Sequence, residues 1–157
     1  MIFASLGSMD MPFTRMAEAV DKLAGQIDEE VVVQTGHTTY DYRHAHAFDF
    51  CSREKMQELM ASASVVILQG GWGTLSEAID IGKAVVAMPR KDKEEHIHDQ
   101  FQLVRKLESL GCLIGVYEGD DLASAVEKAR TTHFKKLKRG DAEGLIREKL
   151  EEWLFKV

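Results

Sequence analysis

Two cysteines, two prolines and no long apolar run are all that this 157-residue sequence offers of those features, and each shortage removes a class of protein. Cys51 and Cys112 stand far apart without metal-ligand spacing or a disulfide framework, so both are expected as small buried thiols. Two prolines, no repeat and no low-complexity tract leave no linker before TTHFKKLKRGD, which reads as a short hinge to a last helix. No apolar stretch reaches the ~18 residues that cross a bilayer, and the opening MIFASLG has no basic start, apolar core or small-residue cleavage site. A cytosolic location is the expectation. Positive charge is not in excess: the net charge is −6 with a pI near 5.5. The basic clusters at Arg90, Lys91 and Lys93 and in HFKKLKR therefore do not make a nucleic-acid footprint. His44, His46 and His133 have no ligand spacing, and no metal site is expected.

What is present is alternation. MIFASL, VVVQT, SVVILQ, AVVAMP and CLIGVY are short runs rich in valine, isoleucine and leucine, and FDF is a candidate strand. Between them lie amphipathic stretches. Met16, Val20 and Leu23 recur at near-helical spacing, as do Met56, Leu59 and Met60 after the capping Ser52 and first-turn Glu54. A helix through TLSEAIDIG closing on Gly82, one ending at Leu110 before Gly111, and DDLASAVEKAR complete the series. GHTTYDYRHAHAF has no usable period. Nearly continuous apolar strands are buried on both faces, and the helices between them serve as crossovers. The expected fold is α/β, a Rossmann-like parallel sheet flanked by helices, in one domain over residues 1–157 whose core this length can close.

The densest motif is QGGWGTLSE, where Gly70, Gly71 and Gly73 follow a buried strand and open a helix. In a doubly wound sheet such a loop lies at the ligand crevice and aims helix amides at it. Glycines without Cβ let backbone approach a phosphate, and Thr74 is placed to cap the helix or offer its hydroxyl. Glu77, one turn on, suits ribose hydroxyls while staying clear of the phosphate charge. A tight turn with a cap would need only one or two of the glycines.

The ordered set QGGWGTLSEAIDIGKAVVAMPR and HIHDQF, with GSMDMPFTRMAEAVDKLA, VVVQTGHTTY and FDFCSREKMQELMASASVVI before it, resembles the glycosyltransferase family 28 C-terminal domain in its stand-alone form. That domain is the donor-binding half of GT-B glycosyltransferases. The stand-alone form is the soluble subunit of the two-part UDP-N-acetylglucosamine transferase of dolichol-linked oligosaccharide synthesis, and of bacterial exopolysaccharide transferases. The resemblance implies that Gln69, Gly70, Gly71, Gly73 and Thr74, with Gly7 and Ser8 across the cleft, hold the donor diphosphate. It implies Glu77 for ribose and Asp99 with Gln100 for the donor sugar, with Trp72, His37 and His96 around the cleft. For Asp99 and Gln100 the competing reading is a solvated helix N-terminus, where an acid suits the macrodipole; for Trp72 it is core packing, and for His37 a hydrogen bond that steadies its loop.

Two positions depart from the family pattern. Gln69 stands where histidine is usual, so a neutral amide replaces an imidazole, leaving either weaker donor binding or compensation by a cation of PRKDK. Ala84 replaces a common proline and relaxes the start of a strand. His96 is the one candidate for a catalytic base, although in two-domain relatives that base generally comes from the acceptor half; His98 is expected in solvent.

The chain is too short for both halves of a GT-B cleft, so the resemblance implies a membrane-anchored partner carrying a polyprenyl-linked acceptor, a UDP-sugar donor and no further cofactor. The chain would then sit peripherally on the cytosolic membrane face. Ile146, Leu150, Trp153, Leu154 and Val157 give residues 141–157 an amphipathic helix for docking or for packing on the sheet. Two other functions stay open. A phosphoribohydrolase of the lysine-decarboxylase-like group shares GGWGTLSE, although HIHDQF is foreign to it, and a non-catalytic nucleotide-binding subunit fits the altered Gln69.

Overall fold

The computed structural model describes residues 1–91, 99–137, 140 and 147. Six strands, β1 (Ile2–Ser5), β2 (Val31–Gln34), β3 (His46–Phe48), β4 (Val65–Gln69), β5 (Val85–Met88) and β6 (Ile114–Gly115), form one sheet. Its order is β3-β2-β1-β4-β5-β6 and every pairing is parallel. Among the described residues four helices lie between strands, α1 (Thr14–Ala24), α2 (Arg53–Ser62), α3 (Trp72–Asp80) and α4 (Gln100–Ser109), and α5 (Leu122–Thr131) follows β6. This is the Rossmann-like parallel sheet that the alternating runs imply.

Side chains alternate across a strand, so each run feeds two cores. Ile2, Ala4, Val33, Ile67 and Val86 pack against Met16, Val20 and Leu23 of α1 and Val126 of α5. Phe3, Val66, Leu68 and Ala87 face the other way, onto Met60 of α2, Leu75 of α3 and Val104 of α4. Burying each large aliphatic side chain contributes roughly 1.5–3 kcal/mol, which is why these strands tolerate no polar face.

The segment GHTTYDYRHAHAF owes its order to one buried acid. Asp21 on α1 is 4% exposed and accepts hydrogen bonds from the backbone N–H groups of Arg43 (3.1 Å), His44 (2.9 Å) and Ala45 (3.0 Å). Burial works to raise its pKa, and the three backbone donors, with the nearby His44, outweigh it and hold the carboxyl below its usual range. The contact spans more than twenty residues, beyond any local period.

Several boundaries differ from the sequence reading. The strand sought in FDF is His46–Phe48, an edge strand with little to bury. β6 is two residues long within CLIGVY and pairs with β5 at the edge of the sheet among the described residues. Helix α3 starts at Trp72, so its N-cap is Gly71 and Thr74 lies within the first turn rather than capping. Gly82 follows its C-terminus at φ 77°. The proposed hinge is anchored, since Lys135 N–H donates to the Gly111 carbonyl at 2.9 Å. Cys112 is buried as expected, but Cys51 is exposed because it precedes the Ser52 cap on the surface. His96, His98 and, apart from Arg147, the helix expected over 141–157 lie outside the described residues.

Candidate functional site

From β1 the chain moves outward to β2 and β3, then returns to β4 on the other side of β1. Loops leaving β1 and β4 therefore diverge at the carboxyl edge and leave the crevice of a topological switch point. The first is Gly7 with Ser8, the second Gly70 to Gly73. Gly7 has φ 87°, and Gly36 after β2 has φ 58°. A Cβ on Gly36 would lie 2.1 Å from the Gly7 carbonyl oxygen, so the β2 exit can close on the β1 exit only with glycine there. Gln34 joins the same corner: its Oε1 accepts from Ser5 Oγ at 2.6 Å, and its Nε2 donates to the Asp49 carbonyl at 2.9 Å.

The three glycines of the β4 loop have different duties. A Cβ on Gly70 would sit 2.8 Å from Gln100 Cβ, and one on Gly71 would sit 2.7 Å from Gln69 Nε2. Both are needed by the protein's own packing. Gly73 differs, for a Cβ there meets nothing within 4 Å. Its neighbours Trp72 and Thr74 share the first turn of α3, whose N–H groups have no intrahelical acceptor, and among the described residues no side chain caps them. Three backbone donors and the positive end of a helix dipole are thus presented together.

Gly73, Thr74, Ser76, Glu77 and Asp80 line an open depression of about 620 Å³ with Arg53 of α2. Glu77 is held there: its Oε1 accepts from Arg53 at 2.6 Å and from Gln57 Nε2 at 3.3 Å, with 30% of its side chain exposed. A larger cavity of about 680 Å³, lined by Ser64, Ala84, Cys112 and Lys136 among others, opens at the opposite end of the strands. The uncapped amides are not there, so we place the candidate site at the carboxyl edge.

Behind the loop sits Arg90, 1% exposed, with its guanidinium carbon 4.5 Å from the Phe13 ring centre. It donates to the carbonyls of Leu6 and Met11, each at 2.8 Å, and to Gln69 Oε1 at 3.1 Å. This cation ties the β1 loop to the β4 loop. It belongs to the PRKDK stretch, and it touches the residue for which compensation was expected.

The two residues expected at the donor sugar are both engaged within the chain. Asp99 is the N-cap of α4 and accepts from Phe101 N–H at 2.8 Å. Gln100 is 4% exposed, donates to Gln69 Oε1 at 2.9 Å and accepts from Arg90 N–H at 3.0 Å. Trp72 is 47% exposed on the rim, which removes the core-packing alternative. His37 is exposed and sits edge-on to Phe50 at 5.0 Å in a separate depression that also takes in Thr35, Tyr40 and Asp49. Ser8 is exposed beside Gly7.

Sequence reading missed Arg53, Gln57 and Phe50, and met Arg90 only as one of the cations of PRKDK. The first two had a signal, since the Ser52 cap fixes α2 and puts positions 53 and 57 on one face. What the sequence does not show is that Arg90 is the cation of that run which is buried. Among the described residues no cluster of three or more histidine, cysteine, aspartate or glutamate side chains could hold a metal ion.

An open parallel sheet with glycine loops at its switch point defines a Rossmann-like α/β domain with its ligand crevice at the carboxyl edge. Residues 2–151 match the glycosyltransferase family 28 C-terminal domain, and the chain belongs to that family. No curated protein matches the sequence. Among solved structures, the ALG13 solution structure is similar to this chain at 15% identity and a TM-score of 0.58, covering 94% of this chain and 93% of that one. MurG of Acinetobacter baumannii is similar at 13% identity and a TM-score of 0.58, covering 96% and 49%. A glycotransferase of kitacinnamycin is similar at 18% identity and a TM-score of 0.65, covering 83% of this chain but 34% of its own length. At these identities the likeness is one of fold, and the chain spans about a third of the last of these proteins.

Proposed function

We propose that this chain is the donor-binding subunit of an inverting glycosyltransferase that moves a sugar from a UDP-sugar to a lipid-linked, polyprenyl diphosphate acceptor. The observation that carries the reading is the uncapped first turn of α3 beside Gly73, where the fold leaves space and backbone donors together. In this reading the amides of Trp72, Gly73 and Thr74 hold the diphosphate and stabilise the charge that grows on it as the sugar departs. Glu77, fixed by Arg53 and Gln57 through one oxygen, turns the other to the ribose. The base that deprotonates the acceptor comes from the second half of the cleft, on a membrane-anchored partner. The reading is supported by membership of a C-terminal-domain family and by a fold like that of ALG13. The described residues contain no helix long and apolar enough to cross a membrane.

Titration calorimetry of the full chain with a panel of UDP-sugars tests the donor site. Binding of at least one is expected, and Glu77→Ala should weaken it about 10-fold, the value of a hydrogen bond to a charged group. Binding of none, or unchanged affinity in the variant, overturns the site. Sugar transfer only when the co-encoded partner is added would establish the subunit role; release of ribose phosphate from nucleoside monophosphates would replace it with the hydrolase reading.

A further inference from the structure

The orientation of one side-chain amide at the mouth of the crevice is dictated by chemistry. Arg90 backbone N–H can only donate, and it meets Gln100 Oε1 at 3.0 Å, so the other end of that amide is Nε2. Gln100 Nε2 in turn meets Gln69 at 2.9 Å, and Arg90 Nε–H, which also can only donate, meets the same Gln69 atom at 3.1 Å. Two donors converge on it, so it is the oxygen. Gln69 Nε2 must then point the opposite way. It lies 2.7 Å from where a Cβ would stand on Gly7 and 2.7 Å from where one would stand on Gly71, between the two loops of the switch point. Among the described residues no acceptor meets this Nε2, while Gln69 as a whole is half-buried.

We propose that Arg90 and Gln100 are positioning residues that lock the Gln69 carboxamide with its NH₂ group toward the crevice, where it donates to the anionic diphosphate of the substrate. The inference rests on the donor-site reading above and assigns Gln100 a different task from direct contact with the sugar. A freely rotating glutamine would present oxygen or nitrogen to an anion, and the wrong face repels. Holding Oε1 with two donors removes that choice before the ligand arrives, so a neutral side chain serves as a dependable donor. Glycine at 7 and at 71 gives the amide its room.

Gln69→Glu is the first test. Its carboxylate keeps an acceptor toward Arg90 and Gln100, so the fold should hold, but a second anionic oxygen replaces Nε2 and faces the diphosphate. In calorimetry on the full chain, UDP affinity should fall about 10- to 100-fold while affinity for uridine, which has no diphosphate, is unchanged. Gln100→Glu tests the positioning: it offers Gln69 an acceptor in place of a donor and favours the turned amide. UDP affinity should fall about 10-fold, uridine affinity should hold, and the loss should vanish when Gln69 is already leucine. A purely structural Gln100 would weaken UDP and uridine equally in either background; a sugar contact would weaken UDP-sugar and leave UDP alone. Either result overturns the proposal, as does unchanged UDP affinity in both variants. Wild-type protein that binds neither UDP nor uridine overturns the donor-site reading itself, and the positioning role with it.

Discussion

Asp21 and Arg90 are both buried charges, and the ways they are satisfied separate structure from function. Asp21 closes its account locally: three successive backbone N–H groups meet its carboxylate, and the loop it gathers lies beside α1. Arg90 gathers the β1 loop through the Leu6 and Met11 carbonyls, but it also reaches Gln69 before the β4 loop, and through it a donor that meets no acceptor among the described residues. A closed network secures a loop; an open one presents an unused group to the crevice. The difference is one of termination, since both side chains are almost fully buried. Removing Asp21 should therefore cost stability alone, while changes along the Arg90 path should register in ligand affinity.

The largest stability effect is expected at the closed network. Asp21→Ala orphans the backbone donors of Arg43, His44 and Ala45, and a loss of about 3 kcal/mol should appear in urea unfolding. Affinity for UDP, measured on the fraction that stays folded, should not change. A parallel fall in affinity would mean that the Asp21 loop reaches the site, and the contrast with Arg90 would collapse.

A smaller effect comes from acid. Glu29, at the amino end of the strands, has its carboxyl held down to about 2 against an ordinary 4.5: burial works to raise it, and the Met1 ammonium, Ser64 and Arg130 outweigh that. A depressed folded pKa contributes stability that is complete above the unfolded value and lost as pH falls toward the folded one. Stability should accordingly decline between pH 4.5 and about 2, and Glu29→Gln should flatten that decline in melting temperatures recorded across the interval. An unaltered acid limb in the variant would assign the loss to other carboxylates, Asp21 first among them.

How far the sequence announced this molecule depends on the range of the interaction. Apolar runs such as VVILQ and the Ser52 cap are local, and from them the parallel sheet, its helices and the glycine loop follow. FDF misled by two residues because an edge strand with exposed side chains buries too little to imprint a period. The order in GHTTYDYRHAHAF was invisible, since its cause is an aspartate on α1. The individual roles of Gly70, Gly71 and Gly73 were equally hidden. Spacing shows three missing side chains, and only the neighbours Gln100 and Gln69 reveal that two of the absences serve the protein's own packing. The burial of Arg90 was hidden for the same reason, as it depends on Phe13 and on carbonyls about eighty residues away.

The smallest stability change sharpens the comparison most, because it should go in the opposite direction. Gly73 lies in the first turn of α3, and a methyl group placed there meets nothing within 4 Å. Alanine forms helix more readily than glycine by up to ~1 kcal/mol, so Gly73→Ala should leave the melting temperature unchanged or slightly raised. The same methyl would occupy the space in which a diphosphate approaches the amides of Trp72 and Thr74, and UDP affinity should drop about 10-fold, as for loss of one charge-assisted hydrogen bond. Gly70→Ala provides the counterpart: its methyl would strike Gln100 at 2.8 Å, so its damage should appear as lost stability first. Stability and affinity falling together in both variants would show that the loop acts as one packed unit with no glycine reserved for a ligand. Stability held and affinity lost at Gly73 alone would mark the point where packing ends and the binding surface begins.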